Sequence, residues 1–150
     1  MTALKFTPSV ILRQLLVDLG VGTMPDPTTP TAWPIYAESM PNSPDSMICV
    51  YTTQGVLNGS VMTDGEVQEH FGFNIKVSSA RPDEGWSKAQ TIINALDKTI
   101  NRNSVSIGPF TFLMHAITRS SGIIPLGKGI PTNKQNTFSI NGTMSLTQSS

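Results

Sequence analysis

Apolar and polar positions divide this chain into two helical stripes and several runs of strict alternation. In the first stripe Ile11, Leu12, Leu15, Leu16 and Leu19 fall on one face at about 100° per residue, with Arg13, Gln14 and Asp18 opposite. Thr7 as N-cap, Pro8 at the first helical position and Gly20 as the stop set its limits. Val10 and Val17 sit among the polar residues, one heptad apart. They read either as ordinary exposed valines or as a thin second apolar strip that meets another subunit. The second stripe is Trp86, Ala89, Ile93, Leu96 and Ile100, within an arc of about 80° at helical pitch. Asp83 and Glu84 stand in its first turn, where the helix dipole favours acids, and Asn101, Arg102 and Asn103 end it. This stripe is expected to pack into the core.

The alternating runs predict strands. Residues 47–52 form the first firm one. Over 67–78, Val67, Glu69, Phe71, Phe73, Ile75 and Val77 share a face, with Glu69 at its rim, and His70, Gly72, Asn74 and Lys76 share the other. Residues 104–107 read as a short strand or edge. Residues 109–120 carry apolar side chains on both faces, which predicts a central strand. At the end, Phe138, Ile140, Met144 and Leu146 alternate with Ser139, Asn141, Thr143 and Ser145, predicting a sheet closed by its C-terminal strand. Residues 21–45 are proline-rich and cannot be regular helix or central strand. Trp33, Ile35 and Tyr36 should pin that loop to the body, with a short strand or turn within 34–40. Residues 53–66, with Gly55, Gly59 and Gly65, read as an extended hairpin or a long loop.

Short links between consecutive strands favour antiparallel pairing. The expected fold is α+β: an antiparallel or mixed sheet with an N-terminal helix and a second long helix packed on it, one compact domain over residues 1–150.

Composition narrows the function. Only 13% of the 150 residues are charged and the formal net charge is zero. A surface short of charge must be covered by neutral polar groups or by other protein, which keeps assembly open. Zero net charge argues against strong sequence-blind attraction to nucleic acid. The single cysteine, Cys49, excludes an internal disulfide and reads as a small buried hydrophobe of a reducing compartment. The first residues lack the small-residue cleavage site of a signal peptide, and no apolar run is long enough to span a membrane.

Reaction centres are hard to build. Two isolated histidines, His70 and His115, and one cysteine do not supply a metal cluster, and no cofactor is expected. There is no G-x-S-x-G elbow, and Gly127, Lys128 and Gly129 lack Walker A spacing. Asp64, Glu66 and Glu69 form an acidic patch that reads as a solvated or interface face, or as the carboxylates of a small hydrolase. Arg119, Lys128 and Lys134 cluster in one loop region without the interleaved aromatics of a single-strand platform.

Three passages carry a family resemblance. They are Met40-Pro41-Asn42-Ser43-Pro44-Asp45 leading into Ile48-Cys49-Val50-Tyr51-Thr52-Thr53-Gln54-Gly55, the strand–helix pair over 71–77 and 82–100, and Ile124-Pro125-Leu126-Gly127 followed by Phe138-Ser139-Ile140-Asn141. In order and spacing the chain resembles the tail terminator, or tail completion, proteins of long-tailed bacteriophages, a group overlapping phage minor capsid proteins. Where such proteins often carry an acid after the first strand, this chain has Thr52. Where they often carry Arg before the last strand, it has Lys134 and Gln135.

The resemblance implies a non-enzymatic virion subunit, assembled in the host cytoplasm, whose hexameric ring sits in the neck. The ring caps the tail tube and presents a surface to the head connector or head-completion protein. On that reading Gly55, Val56, Leu57, Asn58, Gly59, Arg119, Lys128 and Lys134 contact tube or connector, with non-specific contact to DNA passing through the lumen. Val10 and Val17 pack copies side to side. A head-completion or minor capsid component is the neighbouring alternative.

Overall fold

The computed structural model describes residues 6–25, 28, 32–39, 46–60, 67–98, 103–120, 122–127 and 136–149. Over 54–60, 67–70, 103, 115–116, 127 and 147–149 it describes the backbone alone. The first helix, α1 (Pro8–Asp18), begins at Thr7 in extended conformation and ends at Gly20, whose φ is +80°. There the Val21 N–H donates to the Leu16 carbonyl and the Gly20 N–H to that of Val17, satisfying carbonyls the last turn leaves open. Strand β1 (Ile35–Ala37) lies in the proline-rich segment where a short strand was expected, and β2 spans Met47–Ser60. Next come β3 (Val67–Ser79), α2 (Pro82–Lys98), β4 (Asn103–Ile107), β5 (Phe110–Arg119), β6 (Ile124–Gly127) and β7 (Asn136–Ser149).

The strands form one mixed sheet in the order β1-β2-β3-β7-β5-β4, with β6 also on β7. Among the described strands β1 and β2 run parallel and the other strand pairs are antiparallel; an isolated parallel bridge joins Thr23 to Pro34. The fold is α+β, as the patterning predicts. The C-terminal strand, expected to close the sheet, does so from within. It enters the middle, joining the β2–β3 hairpin to the β4–β5 hairpin. Its strict alternation fits that place, since Phe138, Ile140, Met144 and Leu146 all turn into the core.

Helix α1 touches β1 and β2 near one rim and β4 at the other, and Phe6 just ahead of it packs edge-on against Phe110 and Phe112. The sheet therefore curls round α1. Helix α2 lies across β3, β7 and β5. Gly85 meets the Phe138 ring so closely that no Cβ fits between them. One apolar cluster joins both helices to the strands.

Three positions depart from the patterning. Leu19 is exposed because the chain has already turned at the end of α1. Trp86 is 44% exposed, its ring set edge-on to Phe138 at 6.1 Å, and Ile92, absent from the expected stripe, is fully buried. The curled sheet thus meets a face of α2 rotated toward Ile92. In β5 the apolar residues on both faces have a local cause. A bulge between Met114 and Ala116 reverses the alternation. Phe112 and Met114 face the core before it, and Ile117 packs on the core after it.

Candidate assembly surfaces

The residues expected to make axial contacts, Gly55, Val56, Leu57, Asn58 and Gly59, are not in a loop. They extend β2 and pair with β3 through Val56–His70, Leu57–Glu69 and Ser60–Val67, interrupted by two irregularities. Extended-hairpin pairing was one of the two readings of 53–66, and glycine content obscured it because Gly weakens strand signals. The third strand stops early: β3 pairs with β7 only from His70 onward, while β7 continues beside β5 to Ser149. Residues 56–60 and 67–69 therefore stand off the sheet as a two-stranded arm, with no other described strand beside them.

Arg119 lies at the end of β5 on the side the bulge turned toward α2. Its guanidinium bonds both carboxylate oxygens of Asp97 at 2.9 Å, Nε to Oδ1 and Nη2 to Oδ2. That pair holds the Asp97 carboxyl below its ordinary range. Arg119 is thus a neutralised cation. Its expected partners Lys128 and Lys134 lie outside the described residues, as do Asp64 and Glu66; Glu69 is described in backbone only, opposite Leu57.

On α1, Val10 is half-buried, and Val17 is partly buried and packs against the core. Part of the Val17 surface is therefore already used within the subunit, which leaves Val10 the cleaner probe of a side-to-side contact.

A polar cluster that the sequence did not disclose ties α1 to the sheet. Glu38 has a left-handed φ of +61° just after β1 ends. Its N–H donates to the Val50 carbonyl, and its Oε1 accepts the Thr52 N–H at 2.6 Å. The side chain thus replaces the next rung of the β1–β2 ladder. Thr52 Oγ1 in turn accepts the Ser9 N–H in the first turn of α1. So a carboxylate does stand beside Thr52, supplied from fourteen residues upstream. No local pattern marks such a partner.

Burial by itself would raise the Glu38 carboxyl, but hydrogen bonds from the Thr52 hydroxyl, the Ser9 hydroxyl and the Thr52 N–H outweigh it and hold the group below its ordinary range. A depressed carboxyl stabilises the fold above its unfolded-state value and loses that contribution as pH falls through the folded one. The melting-temperature gap between wild type and Glu38→Gln should accordingly be present at neutral pH and shrink on acidification. A gap that stays constant with pH contradicts this role.

Cys49 is fully buried, and burial pushes its thiol up to about 12, only partly opposed by Lys76, so it is no nucleophile near neutral pH. Lys88 lies 5.3 Å from the Trp33 ring centroid, and its burial lowers its pKa. An open groove beside that pair is lined by Asp83, Glu84, Ser87 and Thr91 of α2. Among the described residues no three of His, Cys, Asp and Glu gather to hold a metal ion, and no helix is long and apolar enough to cross a membrane.

On the other face of the sheet the Asn74 amide donates to Ser139 Oγ and Asn141 Oδ1, both at 2.6 Å, and Lys76 sits over the Tyr51 ring. Apart from the Lys76 ammonium, these groups make a neutral polar surface.

A family model described as bacteriophage tail terminator protein matches residues 15–146. No curated protein matches the chain.

Proposed function

The chain belongs to the bacteriophage tail terminator family, a structural group of virion components, and from that premise we propose that its copies close into a ring, hexameric as the resemblance implies, at the head-proximal end of a tail. The ring ends polymerisation of the tube and offers the head connector its joining surface. It is assembled in the host cytoplasm, and DNA crosses its lumen with at most non-specific contact.

The arm carries this reading. A two-stranded ribbon is marginal in water by itself, so an arm clear of its own sheet is suited to completion by a neighbouring protein. We assign residues 55–59 to contact with tube or connector through this arm. Arg119, as an ion pair with Asp97, is assigned to the same contacts, and so are Lys128 and Lys134 on the resemblance alone. The low charge also suits a subunit that lives among other proteins.

Val10 is assigned to side-to-side packing, with Val17 beside it. Val10→Glu places a charge where two copies meet. It should weaken ring formation at least about tenfold, which is roughly 1.4 kcal/mol, and leave the monomer folded. The test is electron microscopy of purified tails lacking this protein, mixed with wild type or variant. Wild type is expected to add a ring at one tail end, and Val10→Glu to leave that end bare. Wild-type protein that ignores tails and binds heads would move it to the head side of the joint.

A further inference from the structure

We infer that β4 of one copy adds as a third strand to the outer edge of the arm, residues 56–60, of the next copy. The inference rests on the ring reading and supplies the contact that closes it.

A ring needs heterologous contact, two different surfaces of one chain that fit each other. Among the described strands the sheet has its edges at β1, β4 and β6 and along the arm. Natural edges are blunted against strand addition by proline and by inward-turned charge. The outer side of β1 is already occupied: the Ile35 N–H donates to the Thr23 carbonyl, the Thr23 N–H donates to the Trp33 carbonyl, and Pro34 has no N–H to offer. Strand β6 carries Pro125, which has no N–H to give. Strand β4 has neither device: its five residues are Asn103, Ser104, Val105, Ser106 and Ile107, a run as long as the arm segment 56–60.

Hairpin geometry shows which groups β4 presents. Ile107 and Phe110 are paired across the two-residue turn Gly108-Pro109, with Gly108 at φ +57°. In such a turn the closing pair exchanges its hydrogen bonds. By alternation, Val105 and Asn103 also bond to β5, and the N–H and carbonyl of Ser104 and Ser106 point outward. Both serines are exposed, and Val105 is buried beneath the sheet. The rim is therefore polar in its side chains and open in its backbone. The occupant is a second copy because the arm, though irregular in register, and β4 are edges of the same chain without proline or charge, equal in length and on opposite flanks of the sheet.

The test removes the two outward donors. Ser104→Pro with Ser106→Pro leaves the β4–β5 ladder intact, since proline is tolerated where an edge N–H faces solvent. Ser104→Val with Ser106→Val keeps both N–H groups. The proline variant is expected to melt like wild type yet form rings on tails at least tenfold more weakly, while the valine variant assembles normally. Normal rings from a folded proline variant overturn the inference and leave the ring reading standing. Loss of rings in the valine variant as well also overturns it, because side chains would then hold the contact. Wild type that forms no ring even on tails sinks both. Should the proline variant fail to fold, amide hydrogen exchange of wild type decides: Ser104 and Ser106 are expected to be protected in rings and open in monomers, and equal exchange in both states overturns the inference.

Discussion

Phe73→Ala is expected to lower the unfolding free energy by about 3–5 kcal/mol, the range for deleting a buried aromatic ring. Phe73 is fully buried on β3, opposite Thr52 of β2 and Gly142 of β7. At Gly142 the packing is tight: a Cβ there would collide with the Thr118 carbonyl of β5 and with the Phe73 ring. Glycine at 142 thus makes room for the ring, and it brings no side chain that could move into the space left behind. A cavity that cannot collapse puts the cost toward the upper end of the range. Urea denaturation should show the midpoint falling with an unchanged slope. A loss below about 1 kcal/mol would mean that the three central strands do not share one tightly packed layer.

Replacing residues 57–69 by Asn-Gly should have the opposite profile, near-normal stability with loss of function. The replacement joins Val56 to His70, a pair already in register, through a two-residue turn that suits a hairpin. The buried apolar cluster, among the residues whose side chains are described, is built from residues outside the removed segment. The melting temperature should stay within about 4 °C of wild type, the shift that roughly 1 kcal/mol produces. In phage carrying the variant, yield of infectious particles should fall to the background of a strain lacking the gene. Wild-type yield with the shortened arm would remove the arm from tail joining. Wholesale unfolding would show that the arm supports the body of the subunit.

Much of this fold was legible in the sequence because its elements obey clean periods. The α1 stripe, the alternation of β7 and the core face of β3 each place their apolar residues on one side, and that leaves an unambiguous pattern. Gaps and misreadings arose where tertiary geometry decides. The position of β7 in the sheet depends on which hairpins it joins, and nothing within the strand states that. Trp86 and Ile92 exchanged roles because sheet curvature selects which face of α2 is covered. The bulge in β5 leaves only apolar residues on both faces as its trace, a sign shared with fully buried strands.

The candidate site was less legible than the fold. The segment Gly55 to Gly59 was found as a place but not as a strand. Glu38 escaped because its partners Thr52 and Ser9 come from other elements, so no spacing rule reaches them. Arg119 was found as a cation, while its neutralisation by Asp97 depends on the bulge that turns it toward α2. Assembly surfaces are written in backbone edges and in three-dimensional neighbours, and single-sequence periodicity records neither.

The most direct measurement is electron microscopy of the particles made when this gene is removed from its phage. Tails of uncontrolled length, or finished tails beside full heads they cannot join, are the expected result. Normal tails joined to heads in infectious particles would contradict the terminator role.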